Sequence, residues 1–594
     1  MSILVQKYGG TSVADPDKIL AAAGKAVRAS QEGHQVVMVV SAMGKNTDML
    51  VDLARQINQQ PPAREMDMLL STGEQVSVAL MAMAIESLGH QAVSLTGSQI
   101  GIRTDSTHTR ARIISISTER IEQLLSEGQI VIAAGFQGID ENFDITTLGR
   151  GGSDTTAVAL AAVLGAARCE IYTDVDGIYT TDPRKLASAR RMSHVSYDEM
   201  LELASLGAGV MHSRSIEFAK KYSVPILVQS SMVEGPGTII TEIPADLSKA
   251  VRGAALAEDE AIITLAGVPD IPGSSNEVFS QIANQKITVD MIVQNIGKEG
   301  HSGLSFTIPC DELGMTMEVI ERLRQTLEIK DVSHSADVSK VSVVGSGMAH
   351  QPGVAEKMFR SISDAGINVL MITTSQIKIS VLVHKNDARK ALEAVHDTFE
   401  LEIPAENELP RLSEIAHLRA EAERVDVVDR LRGMEEIVID EISLDTNQSR
   451  ITLEGVPDRP GVAAMVFERV AKAGIVVDMI VQSHLDGDGL ANISFTVPHH
   501  DLKATQELCK EIADELPCQK ISSSPQAAKL SVSGIGLRSH TGVAHRMFKA
   551  LGAGGINVEL TNTSEARVNV IVASDDGEQA LALVKGAFAD IERG

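Results

Sequence analysis

The feature that most limits what this chain can fold into is an internal duplication. The segment ITLAGVPDIPGSSNEVFSQIANQKITVDMIVQNI, beginning at Ile263, returns 188 residues later, from Ile451, as ITLEGVPDRPGVAAMVFERVAKAGIVVDMIVQSH, identical at 19 of 34 positions. A second segment, VSVVGSGMAHQPGVAEKMFRSISDAGINVLMITTSQIKISVLV from Val341, returns 189 residues later from Leu530, identical at 17 of 43 positions. The shared offset means that a block of two modules was copied whole. Each copy reads as a strand, a turn, an amphipathic helix and a strand rich in Val, Ile and Met. Pro-Gly occupies the turn in three copies, at Pro272-Gly273, Pro352-Gly353 and Pro460-Gly461. The pattern predicts four small α+β units of about 70–80 residues each, in two tandem pairs. Between the blocks, the charged, Gly-poor stretch LSEIAHLRAEAERVDVVDRLRGMEE predicts a linker helix.

The chain before the repeats follows another rule. Ile3–Gln6, Val36–Ala42 and Ile130–Phe136 are short apolar runs that read as strands, the last two buried on both faces. Helical patterns alternate with them at Pro16–Gln31, Glu74–Leu88 and Asp154–Leu164. The first of these opens on Asp15 as N-cap with Pro16 at the first helical position. Alternation of this kind predicts a three-layer α/β domain on a mainly parallel sheet. The expected organisation is a catalytic domain at 1–245, a first module pair at 246–405, a helical linker at 406–436 and a second pair at 437–594.

Composition excludes several classes. With 53 Lys and Arg against 79 Asp and Glu, the formal charge is −26, a surface that repels nucleic acid and anionic lipid. The four cysteines form no CxxC pair and stand beside no His cluster, so neither a zinc site nor a disulfide framework is expected. The first residues lack a charged-then-apolar leader, and the longest apolar stretch, Thr156–Ala167, is too short to cross a bilayer. These readings predict a cytoplasmic chain with no membrane segment and no bound protein metal.

Three Gly-rich turns fall at the ends of predicted strands: KYGGTS at Lys7–Ser12, SAMG at Ser41–Gly44 and GRGGSD at Gly149–Asp154. Glycine there lets backbone N–H groups approach an anion, and a helix beginning at the last turn adds its dipole. Ligands in open α/β sheets bind at such strand ends. The chain has no GxxxxGK[ST] and no GxGxxG opening a helix, so neither a P-loop nor a dinucleotide site is indicated.

KYGGTSV, VVSAMG, TGEQ at Thr72–Gln75, GFQG beside Phe136, GRGGSDTTA and YTDVDGIYTTDPR at Tyr172–Arg184 together resemble the successive motifs of aspartate kinases, within the amino-acid kinase superfamily. The repeated modules resemble ACT domains, ferredoxin-like units that sense amino acids. The resemblance implies ATP and Mg2+ as cofactors, and transfer of the γ-phosphoryl group of ATP to the β-carboxylate of L-aspartate. It implies feedback by lysine, threonine or both, and a homodimer joined through ACT modules. Lys7 matches the phosphate-stabilising lysine, Gly9, Gly10 and Ser12 the phosphate loop, and Asp154 the carboxylate that orients Lys7. Arg150 and Glu74 match the groups for the α-carboxylate and the ammonium of aspartate; Ser41, Thr47 and Ser153 match smaller polar contacts. Read without the resemblance, Glu74 is equally a helix-N-terminal carboxylate. Thr173, Asp174, Tyr179 and Arg184 match the nucleotide side. Many relatives carry a lysine where GAGVMH has Gly209, so ATP contacts there fall to backbone or to another side chain, and His212 reads as structural.

In the modules, Asp270 and Asp458 of the GVPDxPG turns would take an effector amine. Gln294 and Gln482 would reach it from the next strand, and Asn368 and Asn557 of GINV from the partner module. A catalytically weak amino-acid sensor and a related amino-acid kinase are the competing readings. A fused homoserine dehydrogenase is excluded by a tail made of repeat modules.

Overall fold

The computed structural model describes residues 2–206, 210–242, 249–285, 287–296, 300–351, 353–404, 437–485, 489–537 and 542–591. Gly209 and the 406–436 linker expectation lie outside the described residues.

The catalytic half contains strands β1 (Ile3–Tyr8), β2 (Gln35–Val40), β3 (Ala92–Leu95), β4 (Ile102–Thr104), β5 (Ile113–Ile116), β6 (Ile130–Ala134), β7 (Gln137–Ile139), β8 (Ile145–Thr147), β9 (Arg168–Thr173), β10 (His194–Ser196), β11 (Ile226–Ser230) and β12 (Thr238–Thr241). Eight of them form one sheet in the order β10-β12-β11-β9-β1-β2-β6-β3, parallel except between β11 and β12. Alternate residues of its central strands enter two different cores, as a sheet covered on both sides requires. Val5, Val37, Val39 and Val131 pack under the helix Gly152–Val163. Leu4, Met38, Val40 and Ile132 pack under the helices Pro16–Gln31 and Ala63–Ser87. The Asp15 N-cap forms as expected, its carboxylate accepting from Lys18 N at 3.0 Å. A four-stranded flap, β5-β4-β7-β8, stands beside this sheet.

The helix expected at Glu74–Leu88 begins eleven residues earlier, at Ala63. Gly73 sits mid-helix, where a Cβ would come within 2.8 Å of Ala42 Cβ. This helix is long and apolar enough to meet the length and hydropathy of a membrane span. Val78, Met81 and Ile85 nevertheless lie in the core under the sheet, and Asp67 and Glu74 are buried on the same helix.

The second half is one twelve-stranded antiparallel sheet. Its strands are β13 (Gly253–Pro269), β14 (Ile292–Ile296), β15 (His301–Pro309), β16 (Asp331–Val344), β17 (Met371–Thr374), β18 (Lys378–His384), β19 (Val438–Pro457), β20 (Ile480–Leu485), β21 (Leu490–Pro498), β22 (Lys520–Ile535), β23 (Leu560–Thr563) and β24 (Arg567–Ala573). The order is β14-β15-β13-β16-β18-β17-β20-β21-β19-β22-β24-β23. Long strands serve two modules each. The start of β13, Gly253–Ala257, pairs with the end of β16, while Ile262–Ala266 pairs with its beginning. Each block therefore nests an inner module (260–335; 448–524) inside an outer one (253–257 with 338–398; 438–445 with 527–588).

The pairing between modules crosses the blocks. The outer module of the first block docks on the inner module of the second, through β17–β20 and one shared core containing Phe359, Phe467 and Phe495. The inner module of the first block shares a core with the outer module of the second, with Phe279 stacked on Phe548. Modules thus pair inside one chain, because the duplication supplies both partners.

Candidate functional site

A wide cleft opens at the carboxyl ends of β1 and β2 and at the amino end of the helix Gly152–Val163. Lys7, Gly9, Gly10, Ser41, Thr47, Glu74, Arg150, Ser153 and Asp154 all line it. Lys7 leaves the end of β1 beside Val39 and Ile171, and its Nζ lies 2.6 Å from Asp154 Oδ1 in the first turn of that helix. Two glycines make the close approaches. A Cβ on Gly10 would lie 2.7 Å from Ala42 O, and Gly10 O accepts from Gly44 N, so the first two Gly turns lock together. Gly151 has φ +70°, and a Cβ on it would collide with His212 at 2.3 Å. His212 fills that space and caps the helix Ser213–Lys221 through Nδ1, while burial lowers its pKa.

Glu74 is not a helix-terminal carboxylate: it lies eleven residues into the helix, so service to the macrodipole is excluded. Its Oε1 accepts from Ala42 N at 3.2 Å, and its other oxygen, also buried, accepts nothing among the described residues. Burial raises its pKa to about 7. An ammonium group beside it would restore the ionised form.

The remaining predicted residues stand apart from the cleft lining. Ser12 is buried behind it, donating to Tyr172 O at 3.5 Å. Thr173 ends β9, next to β1, and its Oγ1 donates to Asp174 at 3.2 Å. In the following loop, Tyr179 Oη donates to Asp176 at 2.8 Å, and the exposed Arg184 binds Asp182 through Nε and Nη2.

Sequence reasoning missed part of the cleft wall. Arg110, Arg112 and Arg214 line it, as do Thr288, Ile535 and Gly536 from the module half. Arg214 donates to Leu148 O at 2.5 Å and Ala111 O at 2.7 Å, tying flap to cleft. The signal for the arginines was RAR at Arg110–Arg112, which no Gly turn accompanies. Asp67, fully buried, holds the flap by accepting from Thr109 N, Thr147 Oγ1 and His108 Nδ1. His108, Asp140 and Asp144 come within metal-ligating distance of one another, but Asp140 already accepts from Ser106 and two backbone amides, and Asp144 binds Arg64.

The six residues singled out in the modules gather into two equivalent seams. Asn557 Nδ2 donates to Asp270 at 3.0 Å, and Gln294 Nε2 to Val558 O at 3.1 Å. Asn368 Nδ2 donates to Asp458 at 2.9 Å, and Gln482 Nε2 to Val369 O at 2.9 Å. Each seam takes Asp and Gln from one block and Asn from the other. The Asp458 seam lines a small open pocket with Phe359, Ala463 and Ile493. Both seams reach the catalytic half. Thr288 and Ile535 come from the modules of the Asp270 seam. On the other side, Lys378 forms a buried ion pair with Glu202 at 2.7 Å, and Ser346 N donates to Glu199 at 3.0 Å.

Residues 2–230 match the amino acid kinase family, and residues 341–399, 451–511 and 530–588 match the ACT domain. The aspartokinase of Bacillus sp. strain MGA3 is 50% identical over 402 residues, covering 68% of this chain and 98% of that protein. The chain belongs to the aspartate kinase family. It is an enzyme, an aspartate kinase. The aspartokinase of Mycolicibacterium smegmatis is 48% identical over 408 residues, 68% of this chain and 97% of that one. The aspartate kinase from Synechocystis aligns over 99% of this chain and 98% of its own, at 39% identity and a TM-score of 0.51. Aspartokinase III of E. coli, solved with aspartate and ADP, aligns over 67% of this chain and 99% of its own, at 26% identity and a TM-score of 0.58.

Proposed function

We propose that the cleft makes 4-phospho-L-aspartate, the first step toward lysine, threonine and methionine, and that lysine, threonine or both inhibit it from the module seams. The observation that carries the catalytic half is the Lys7–Asp154 pair at a Gly-rich strand end, in the same cleft as Arg150 and buried Glu74. The β-carboxylate of aspartate is ionised at neutral pH and needs no general base. The demand is for charge and donors around the transferring phosphoryl group.

Lys7, held by Asp154, offers its ammonium group to the β- and γ-phosphate oxygens, and the Gly9–Gly10 turn lines the same end of the cleft. Arg150 forks onto the α-carboxylate, Glu74 takes the α-ammonium, and Ser41, Thr47 and Ser153 complete the polar lining. Thr173, Asp174, Tyr179 and Arg184 hold the nucleoside side, reached across the end of β9. The cleft's donor chemistry fits Mg2+ bound mostly by ATP phosphates with Asp154 as the protein carboxylate; the ion would neutralise part of the charge on those phosphates. In the seams, Asp270 with Gln294 and Asn557, and Asp458 with Gln482 and Asn368, take the effector amino acid. The enzyme acts in the cytoplasm, and a homodimer would use faces other than the two seams.

The test is hydroxylamine trapping of the acyl phosphate with Mg-ATP and L-aspartate, followed by titration of lysine and threonine singly and together. Aspartate-dependent hydroxamate suppressed by either amino acid is expected. Amino-acid binding without turnover would favour a sensor that keeps only the fold.

A further inference from the structure

The two seams present the same three side chains but differ in what the buried glutamine oxygen meets. At the Asp270 seam, Ser275 Oγ donates to Gln294 Oε1 at 2.8 Å, bridging the turn to β14. The residue aligned with Ser275, 188 positions on, is Ala463. Gln482, only 5% exposed, therefore has an Oε1 that accepts no hydrogen bond among the described residues, and it lines the seam pocket with Asp458, Asn368 and Ala463. A buried amide oxygen without a donor is unfavourable, and a charged donor relieves it more strongly than a neutral one.

A second difference acts in the same direction. Gly552 faces the turn of the Asp270 seam so closely that a Cβ on it would lie 3.1 Å from Gly273 Cα. Its counterpart at the other seam is Ser363, whose Oγ stands 3.1 Å from the Cβ position of Gly461. The Asp270 seam is closed by backbone against backbone, while a side chain separates the same elements at the Asp458 seam.

We infer that the seams are unequal: the Asp458 seam binds the α-ammonium group of a free amino acid tightly, through Asp458 and Gln482 Oε1, while Ser275 stands in for that ammonium at the Asp270 seam and weakens it. This ranking rests on the effector reading above. It makes residues Ser275 and Ala463 the determinants of effector affinity.

Calorimetric titration of the full chain with L-lysine and with L-threonine tests it, with melting curves to confirm that each variant folds. Asp458→Ala removes the tight class of sites, and Asp270→Ala leaves it in place. Ala463→Ser, which installs the internal donor, weakens the tight class about tenfold, and Ser275→Ala strengthens the weak class by a similar factor. Equal classes, a tight class lost with Asp270→Ala instead, or affinities that neither swap moves would overturn the ranking while leaving effector binding intact. No heat from either amino acid with any form of the protein would remove the effector reading itself, and the ranking with it.

Discussion

The catalytic and sensing halves bring distant residues together by different means. In the catalytic half the parallel strands deliver the loops that follow them to the same edge, so Lys7, Ser41 and Asp154 meet because β1 and β2 end there and the helix Gly152–Val163 begins there. In the sensing half nothing in a single module brings Asp270 to Asn557, 287 residues away, or Asp458 to Asn368, 90 residues away. Those pairs exist only where two modules dock. A site at strand ends belongs to one domain, whereas a seam site belongs to an interface.

Four changes sharpen that contrast. Lys7→Ala should lower turnover by about a thousandfold or more, the scale on which a donor to a transition-state anion acts, with a much smaller change in aspartate binding. Steady-state kinetics checks this, and unchanged turnover would remove Lys7 from the chemistry. Asp458→Ala should raise the inhibitory effector concentration by about 5–150-fold, the range of ordinary allosteric coupling, and leave basal turnover intact. Full retained sensitivity would mean that the Asp458 seam does not govern inhibition.

Glu74 carries the third. Burial lifts its folded pKa to about 7, and an ammonium ligand binds only the ionised carboxylate, so acid must weaken aspartate binding. The KM for aspartate should rise about tenfold between about pH 8 and about pH 6 and level off above, and Glu74→Gln should flatten the profile at a high KM. A profile unchanged in Glu74→Gln would assign the titration elsewhere. The smallest effect is expected at Arg184, exposed and paired with Asp182. Arg184→Ala should leave the melting temperature alone and raise the KM for ATP several-fold; an unaltered KM would take it out of the nucleotide site.

Legibility in the sequence followed the same division. Asp15 and Pro16 set a helix start by local chemistry, and the helix Pro16–Gln31 forms as that chemistry demands. The three Gly turns were visible because Gly10 and Gly151 answer to close approaches that leave a compositional trace. The true start of the helix Ala63–Ser87 was not legible for the converse reason: Gly73 within it is set by contact with Ala42, a tertiary fact with no local sign. The nesting of modules was hidden because a strand such as β13 shows its pattern but not that its two halves serve different cores. The offset of 188 revealed the copying, yet nothing in it said that each copy would dock on the other.

Duplication ordinarily releases one copy to drift while its twin keeps the old task. Cross-docking removes that freedom here. A change in the turn at Asp270 alters a site completed by the other block's Asn557, and a change at Asn368 alters the site of Asp458. Neither copy is a spare, so the two must evolve as one unit, and a recombination that exchanged a single block would disturb both seams at once.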